Sequence, residues 1–140
     1  MVESPDGWRL EARILSEPQS AEWSASPALA WLDYDQVSFP LTLRSLLPGD
    51  RFWPEGVKGA KKMQDFLVDA KIPRWLRPHL PLVISGEKII WVPGLRLAEP
   101  VKLTPETGSV LKLTISPVHP TTARVWDLLL AWTNQSVPRA

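Results

Sequence analysis

The 140-residue sequence contains no cysteine and only two histidines. Without cysteine, the chain can form neither a disulfide framework nor a zinc–thiolate site, and it has no thiol nucleophile. Its longest apolar stretch, near residues 125–132, is too short to span a bilayer. The amino end is acidic and broken by Pro5, which is not typical of a signal peptide. We therefore expect a cytoplasmic protein with no membrane partner.

Four common catalytic motifs are also missing from the sequence: the G-x-G-x-x-G and G-x-x-x-x-G-K-[ST] loops, the G-x-S-x-G elbow and the H-E-x-x-H helix. We therefore predict no catalytic residue, no metal site and no cofactor site in this chain. A remote alternative, a small independent metal-dependent hydrolase, would use Asp65, Asp69 or His79. The two aspartates follow lysines on a predicted helix, which favours an exposed, salt-bridged helix face instead.

Positive charge is concentrated in the middle of the chain. Residues 1–43 hold two basic and seven acidic side chains, residues 44–77 hold eight and four, and residues 78–140 hold six and four. A local excess of Lys and Arg is what an anion-binding surface needs. A solvated surface that happens to be basic explains the same excess, so charge alone does not separate the two.

Hydropathy patterns predict strands along most of the chain. The predicted strands are residues 8–14, 29–34, 39–44, 101–103 and 110–115. Gly86-Glu87 also predicts a two-residue turn that joins a hairpin of residues 82–85 and 88–92.

Apolar residues at helical spacing predict a helix that contains Met63, Phe66, Leu67 and Ala70. Short helices are also predicted from Pro73 and at residues 123–132, and the Gly- and Pro-rich segment 51–59 predicts an exposed loop. The fold class is therefore α+β, with small antiparallel or mixed β-sandwich-like sheet layers and two or three short helices.

The segment Lys58-Gly59-Ala60-Lys61-Lys62 stands at the predicted start of the first helix. Acidic residues are favoured there, because free N–H groups and the macrodipole make a helix N-terminus electropositive. Lysines in this place therefore indicate a site for an anion such as phosphate. The side chains that we predict to contact a nucleic-acid backbone are Arg44, Arg51, Lys58, Lys61, Lys62, Lys71, Arg74 and Arg77.

The sequence is also rich in tryptophan, with eight residues of this type. Trp53, in the predicted loop, and Trp75, close to two arginines, are candidates for stacking on unpaired bases. Cation–π packing against Arg51 and Arg74 explains these two positions equally well without a ligand. Tryptophans on apolar patterns are predicted to lie in the core, namely Trp8, Trp31, Trp91, Trp126 and Trp132.

A series of motifs at fixed spacings runs through residues 41–97. It comprises an Arg followed by PGDR, a P-x-G-x-x-G loop followed by KK, a helix ending in D-x-K-x-P, a further Arg, a P-[VL] pair and a W-x-x-G strand end. The residues that carry it are Arg44, Pro48 to Arg51, Pro54, Gly56, Gly59, Lys61, Lys62, Asp69, Lys71, Pro73, Arg77, Pro81, Trp91 and Gly94. In this pattern the chain resembles the C-terminal domain of tRNA(Ile)-lysidine synthetase, a ligase of the PP-loop ATPase family.

The resemblance implies an α+β, sandwich-containing fold that is shared with a domain of phenylalanyl-tRNA synthetase. It implies a parent enzyme that uses ATP, Mg and lysine to convert the wobble cytidine of an isoleucine tRNA to lysidine. Catalysis would lie in an N-terminal domain with an S-G-G-x-D-S loop, of which this chain has only Ser85-Gly86. The C-terminal domain would grip tRNA(Ile), particularly its acceptor stem.

The resemblance also suggests a division of the chain. Residues 1–28 would form an N-terminal strand and loop, residues 29–115 the lysidine-synthetase C-terminal-like domain, and residues 116–140 a C-terminal helix and tail. A tRNA-binding domain is the first hypothesis. The alternative is a protein–protein docking domain that packs on a catalytic domain or on a partner subunit, including a second copy of itself, through its Trp-rich surface.

Overall fold

The computed structural model describes residues 2–15 and 26–136. Residues 16–25, in the predicted N-terminal strand and loop, and residues 137–140 of the predicted tail lie outside the described residues. The described chain forms β1 (Val2–Glu3), β2 (Trp8–Leu15), β3 (Leu29–Asp33), β4 (Leu41–Arg44), β5 (Arg51–Phe52), β6 (Lys61–Lys62), α1 (Met63–Asp69), β7 (Leu82–Ser85), β8 (Lys88–Val92), β9 (Arg96–Leu97), β10 (Val110–Pro117) and α2 (Pro120–Ser136). This α+β architecture confirms the predicted fold class.

Two four-stranded antiparallel sheets share one hydrophobic core. The first sheet has the order β1-β2-β10-β3 and the second the order β4-β7-β8-β9. Leu10 and Leu113 from the first sheet and Val83 and Trp91 from the second belong to the same cluster of buried side chains. The first sheet joins strands from both ends of the chain, so it crosses the predicted boundary at residue 28. The three-part division itself stays a prediction.

The helix α2 packs on β10 of the first sheet, and its C-terminal part contacts the residues that follow α1. Leu129 is fully buried, and Trp126 makes an edge contact with Trp8 at 6.0 Å between ring centroids. Trp132, which was predicted to lie in the core, is exposed instead, and its indole N–H donates to the carbonyl of Lys71. Neither described helix is long and apolar enough to cross a membrane.

The C-terminus of α1 is closed by a left-handed residue. The N–H of Ile72 donates to Leu67 O at 3.0 Å and the N–H of Lys71 donates to Val68 O at 2.9 Å, which is the Schellman pattern. Lys71 has φ of 59°, in a position that helices usually give to glycine. The chain therefore turns sharply at Lys71 before it enters the Pro73 segment.

Two predicted elements are wrong. The predicted strand 101–103 is replaced by a 3-10 turn at Glu99–Val101, because the N–H groups of Val101 and Lys102 donate locally to Ala98 O and Glu99 O instead of to a neighbouring strand. The helix predicted from Pro73 is only a turn followed by a 3-10 turn at Arg77–His79. Pro78 lacks an N–H there, so a longer α-helix would lose a backbone hydrogen bond.

The segment 51–59 is also more ordered than the predicted exposed loop. Phe52 is buried and packs edge-on against Phe66 at 5.0 Å, and Pro54 forms an isolated bridge with Ala98. The N–H of Glu99 donates to Trp53 O, and the Glu99 carboxylate accepts from the N–H of Gly56, both at 2.8 Å. The Gly56 N–H is the main reason why the pKa of Glu99 is lowered. These contacts fix the segment on the second sheet.

Candidate nucleic-acid interface

The short ribbon of β5 and β6 places two cations directly opposite each other. Arg51 pairs with Lys62, and Phe52 pairs with Lys61. Directly opposed residues of an antiparallel pair project from the same face, and like charges there are destabilising. The Arg51 guanidinium donates to Ala60 O at 3.1 Å, which holds it beside the ribbon. The ribbon therefore gathers positive charge at some cost in stability.

The two lysines do not occupy the first helical turn, where the sequence predicted them. They form β6, and Lys62 is the N-cap of α1, with extended backbone and no side-chain capping bond. Pairing with β5 holds the segment extended, and α1 begins only at Met63. The charge concentration is thus due to strand pairing rather than to a helix N-terminus.

Lys61 and Lys62 have different surroundings because successive strand residues point to opposite faces. The Lys61 ammonium lies 2.7 Å from an Asp69 carboxylate oxygen, in a pair that neutralises both groups. This is the salt-bridged helix face that the sequence favoured for Asp69. Lys62 has no carboxylate within 4.0 Å among the described residues. Of the two lysines, Lys62 is therefore the one available to a ligand.

One surface cavity of about 560 Å³ collects four of the predicted basic residues. Its basic lining residues are Arg51, Lys62, Arg74 and Arg77. They come from the ribbon and from the turn after α1, and the turn at Pro48-Gly49 forms another part of the wall. We call this the basic cavity. None of the four has a carboxylate partner within 4.0 Å in residues 2–15 and 26–136.

Arg77 is held in place by the backbone. Its Nε donates to Ile72 O at 2.9 Å. Its two Nη groups have no protein acceptor among the described residues, so they are free to donate to a ligand. A guanidinium that is anchored in this way loses little side-chain freedom when it binds a phosphate.

Arg44 has a structural partner. Its guanidinium makes two hydrogen bonds to Asp50, at 2.8 and 2.9 Å, and a third to Ser45 O at 3.0 Å. The Arg44 hydrogen bond is the largest reason why the pKa of Asp50 is lowered, and the N–H of Leu47 lowers it further. The Asp50 carboxylate also accepts from the N–H of Leu47 and so closes the Pro48-Gly49 turn, and Asp50 itself lines the basic cavity.

The remaining predicted cations lie outside the basic cavity. Lys58 and Lys71 are exposed, and neither has a carboxylate partner within 4.0 Å in the described part of the chain. Thus four of the eight predicted residues line one cavity, two are neutralised by aspartates, and two lie elsewhere on the surface. Contact of any of them with nucleic acid stays a prediction.

The two candidate stacking residues are both exposed, Trp75 by 57% and Trp53 by 38%. Trp53 is fixed by a bond of 2.6 Å from its indole N–H to Val57 O. No cation lies over either ring among the described residues, so cation–π packing does not explain them. Sequence reasoning missed Gln64, which lines the basic cavity from α1, because nothing in the pattern distinguishes it from any exposed polar helix residue.

The residues of the hydrolase alternative are not brought together. Within the described ranges, no group of three or more His, Asp and Glu side chains lies close enough to hold a metal ion. Asp69 is bonded to Lys61, and His79 lines a different, smaller cavity beside Thr121 and Thr122. These positions lend no support to metal-dependent hydrolysis.

The chain is similar in sequence and in structure to the members of one known family. A family model described as the TilS substrate C-terminal domain matches residues 41–113, which contain all four cations of the basic cavity. The chain belongs to this family. A crystal structure of a TilS C-terminal domain superposes with a TM-score of 0.65 at 27% identity, and covers 82% of this chain and 88% of that one.

Relatives of the TilS C-terminal domain family are much longer than this chain. The tRNA(Ile)-lysidine synthase of Symbiobacterium thermophilum is 45% identical over 85 residues, 61% of this chain and 18% of that protein. The enzyme of the same name from Dehalococcoides mccartyi is 38% identical over 108 residues, 77% of this chain and 23% of that protein. The chain thus spans about a fifth of the length of these curated relatives.

A more distant structure shares the fold. An N-terminal fragment of the phenylalanyl-tRNA synthetase β-subunit from Pyrococcus horikoshii aligns with a TM-score of 0.53 at 16% identity, over 76% of this chain and 34% of that one. This confirms the predicted likeness to a phenylalanyl-tRNA synthetase domain, at the level of fold alone.

Proposed function

We propose that this chain is a tRNA-binding domain of a tRNA(Ile)-lysidine synthetase and that it grips the acceptor stem of tRNA(Ile). The observation that carries the proposal is the basic cavity, where Arg51, Lys62, Arg74 and Arg77 meet without carboxylate partners in the described residues. Phosphates of a nucleic-acid backbone are the ligands that such a cluster favours. Membership of the TilS C-terminal domain family supports tRNA as the source of those phosphates.

The cavity suits a duplex backbone better than a small anion. Two of its cations lie opposite each other on the ribbon, and the other two lie on the turn after α1. The four cations therefore offer separate contact points for several phosphates along the wall of the cavity. An A-form helix presents phosphates along both edges of its minor groove and is recognised mainly by shape. We propose that the basic cavity follows one strand of the stem.

The parent enzyme would supply the chemistry. Because the relatives are more than three times as long as this chain, we propose that an N-terminal catalytic domain of the same enzyme binds ATP and Mg and joins lysine to the wobble cytidine. No catalytic role is assigned to a residue of this chain. The domain would act by orienting the tRNA, which lowers the entropic cost of placing the distant anticodon at the catalytic centre.

The salt dependence of binding tests the proposal. Of the eight predicted cations, Arg44 and Lys61 are neutralised, which leaves six available. If all six contact phosphates, log Kd for an acceptor-stem hairpin should change with log salt concentration with a slope of magnitude about 5. Fluorescence anisotropy on labelled hairpin RNA, from about 50 to 200 mM salt, measures this slope.

A matched pair of variants locates the contact. Lys62→Ala should weaken binding severalfold and reduce the magnitude of the slope by about 1. Arg124→Ala removes the same charge from an exposed position on α2 that lies outside the basic cavity, and it should change neither quantity. Equal effects of the two variants, or no binding at low salt, would show that the basic cavity is not an RNA site.

Docking onto a protein partner remains the alternative prediction. Trp75, Trp132 and Leu47 are all exposed, and apolar surface of this kind is common at protein interfaces. Association through these residues should persist at high salt, whereas RNA binding should not. Light scattering of the chain, alone and with the catalytic portion of a lysidine synthetase, distinguishes the two and also tests for a homodimer.

A further inference from the structure

A second cavity lies next to the basic cavity. Its volume is about 820 Å³, and it shares Gly49, Asp50 and Arg51 with the basic cavity as common lining residues. The segment 49–51 therefore separates the two cavities and borders both. A nucleic-acid strand whose backbone lies in the basic cavity can therefore cross this segment and enter the second cavity.

The lining of the second cavity combines a ring, a cation and neutral polar groups. Trp53 and Lys88 line it, together with Gln36, Ser38 and the Gly86-Glu87 turn of the β7–β8 hairpin. Because the Trp53 N–H is already bonded to Val57, the indole offers ring surface rather than a donor. Lys88 is exposed and has no carboxylate within 4.0 Å among the described residues.

The carboxylates at this site do not exclude an anion. Asp50 is bonded to Arg44 and is already neutralised. Glu87 is the remaining acidic lining residue, and Arg51 and Lys88 together outweigh it. Ser85 also lines the cavity, but its hydroxyl is bonded to the backbone of Ser38, so it contributes wall rather than a free donor.

We propose that the second cavity receives an unpaired nucleotide that continues one strand of the duplex held in the basic cavity. This inference rests on the proposed function. Trp53 stacks on the nucleobase, Lys88 binds its phosphate, and Arg51 binds the phosphate at the junction between paired and unpaired nucleotides. The volume of the cavity lies within the range of small-ligand sites and accommodates one nucleotide.

The test compares two RNA hairpins with the same stem, one blunt and one with a single-stranded 3′ extension. Stacking of one base on an aromatic side chain strengthens binding by roughly 5- to 150-fold, and we expect the 140-residue chain to prefer the extended hairpin by such a factor. Trp53→Leu should abolish the preference and leave the affinity for the blunt hairpin unchanged. Trp53→Phe, which keeps an aromatic ring, should retain most of it.

Two further measurements distinguish loss of stacking from local misfolding caused by the substitution at Trp53. Lys88→Ala changes an exposed residue and should reduce the preference, whereas the matched Arg124→Ala should not. 2-Aminopurine placed in the extension should be quenched on binding to the wild-type chain but not to Trp53→Leu. Quenching that persists in Trp53→Leu would show that the base stacks elsewhere.

The outcomes separate this inference from the proposed function. Equal affinity for the two hairpins, with the Lys62→Ala effect intact, would overturn the second site and leave the stem contact standing. Failure to bind either hairpin would overturn the proposed function itself. A preference that survives both Trp53→Leu and Lys88→Ala would also contradict the second site.

Discussion

At the residue scale, Lys71 combines a backbone penalty with an exposed charge. Its φ of 59° lies in the left-handed region, which costs a non-glycine residue about 1–2 kcal/mol. Glycine would satisfy the same Schellman bonds without that penalty. The Lys71 side chain makes no ion pair in the described part of the molecule, so no ion pair of its own offsets the backbone penalty. That the Lys71 ammonium contacts RNA stays a prediction, which the following variants test.

Lys71→Gly should stabilise the domain and weaken RNA binding. We expect the free energy of unfolding to rise by roughly 0.5–1 kcal/mol, because relief of the strain exceeds the extra entropy of glycine in the unfolded chain. Urea unfolding measures this change. Lys71→Ala keeps the strain and should leave stability almost unchanged, yet it should lose the same severalfold affinity for the acceptor-stem hairpin. Unchanged affinity in both variants would remove Lys71 from the interface.

At the element scale, the β5–β6 ribbon opposes Arg51 to Lys62. Lys62→Glu would place a carboxylate opposite Arg51 and next to the N-terminus of α1, where negative charge is favoured. We expect stability to increase by roughly 0.5–1 kcal/mol, since an opposed like-charge pair becomes an opposed ion pair. Binding of the hairpin should fall more than it does in Lys62→Ala.

Lys58→Glu provides the control for the ribbon. Lys58 is exposed in the 51–59 segment and has no strand partner, so the same charge reversal should leave stability within about 0.5 kcal/mol of the wild type. Thermal or urea unfolding of the two variants, side by side, gives the comparison. Destabilisation by Lys62→Glu would mean that the opposed cations are not a stability cost.

The elements that could be predicted from the sequence are those with local signals. The Gly86-Glu87 turn fixes its hairpin, and the apolar spacing from Met63 to Leu67 identifies α1. The ribbon could not be predicted, because a two-residue strand has no periodicity and its pairing joins residues nine and eleven positions apart. Two short patterns show the reverse case. The missing N–H of Pro78 overrides the helical pattern that begins at Pro73, and local 3-10 hydrogen bonds override the apolar pattern at residues 101–103.

At the scale of the whole molecule, the charge distribution along the sequence indicated a basic face but not which residues form it. The excess in residues 44–77 is local, and four of its eight cations do share one cavity. Strand register decides which side chain faces the cavity. In the observed register Lys62 lines the cavity, whereas Lys61 pairs with Asp69. Register and ion pairing are set by tertiary contacts, so a linear count of charges cannot resolve them.

Because the two sheets share one core, we expect them to fold as one unit. β2 pairs with β10 along all eight of its residues, and it contributes the buried Trp8 and Leu10 to the cluster that also holds the second sheet. The family match begins only at residue 41. The strand β2 lies before that residue in the sequence, yet it pairs with β10 and belongs to the same core. Loss of β2 packing should therefore weaken both sheets together.

Leu10→Ala and Ile14→Ala test this cooperativity on one strand. Leu10 is 1% exposed and Ile14 is 54% exposed, so Leu10→Ala should cost about 2–5 kcal/mol and Ile14→Ala less than about 1. Urea unfolding should be followed by far-UV circular dichroism and by tryptophan fluorescence, which includes Trp91 of the second sheet. A shared core requires both signals to move to the same lower midpoint in Leu10→Ala. If the two signals separate, unfolding is not two-state and the sheets do not fold together.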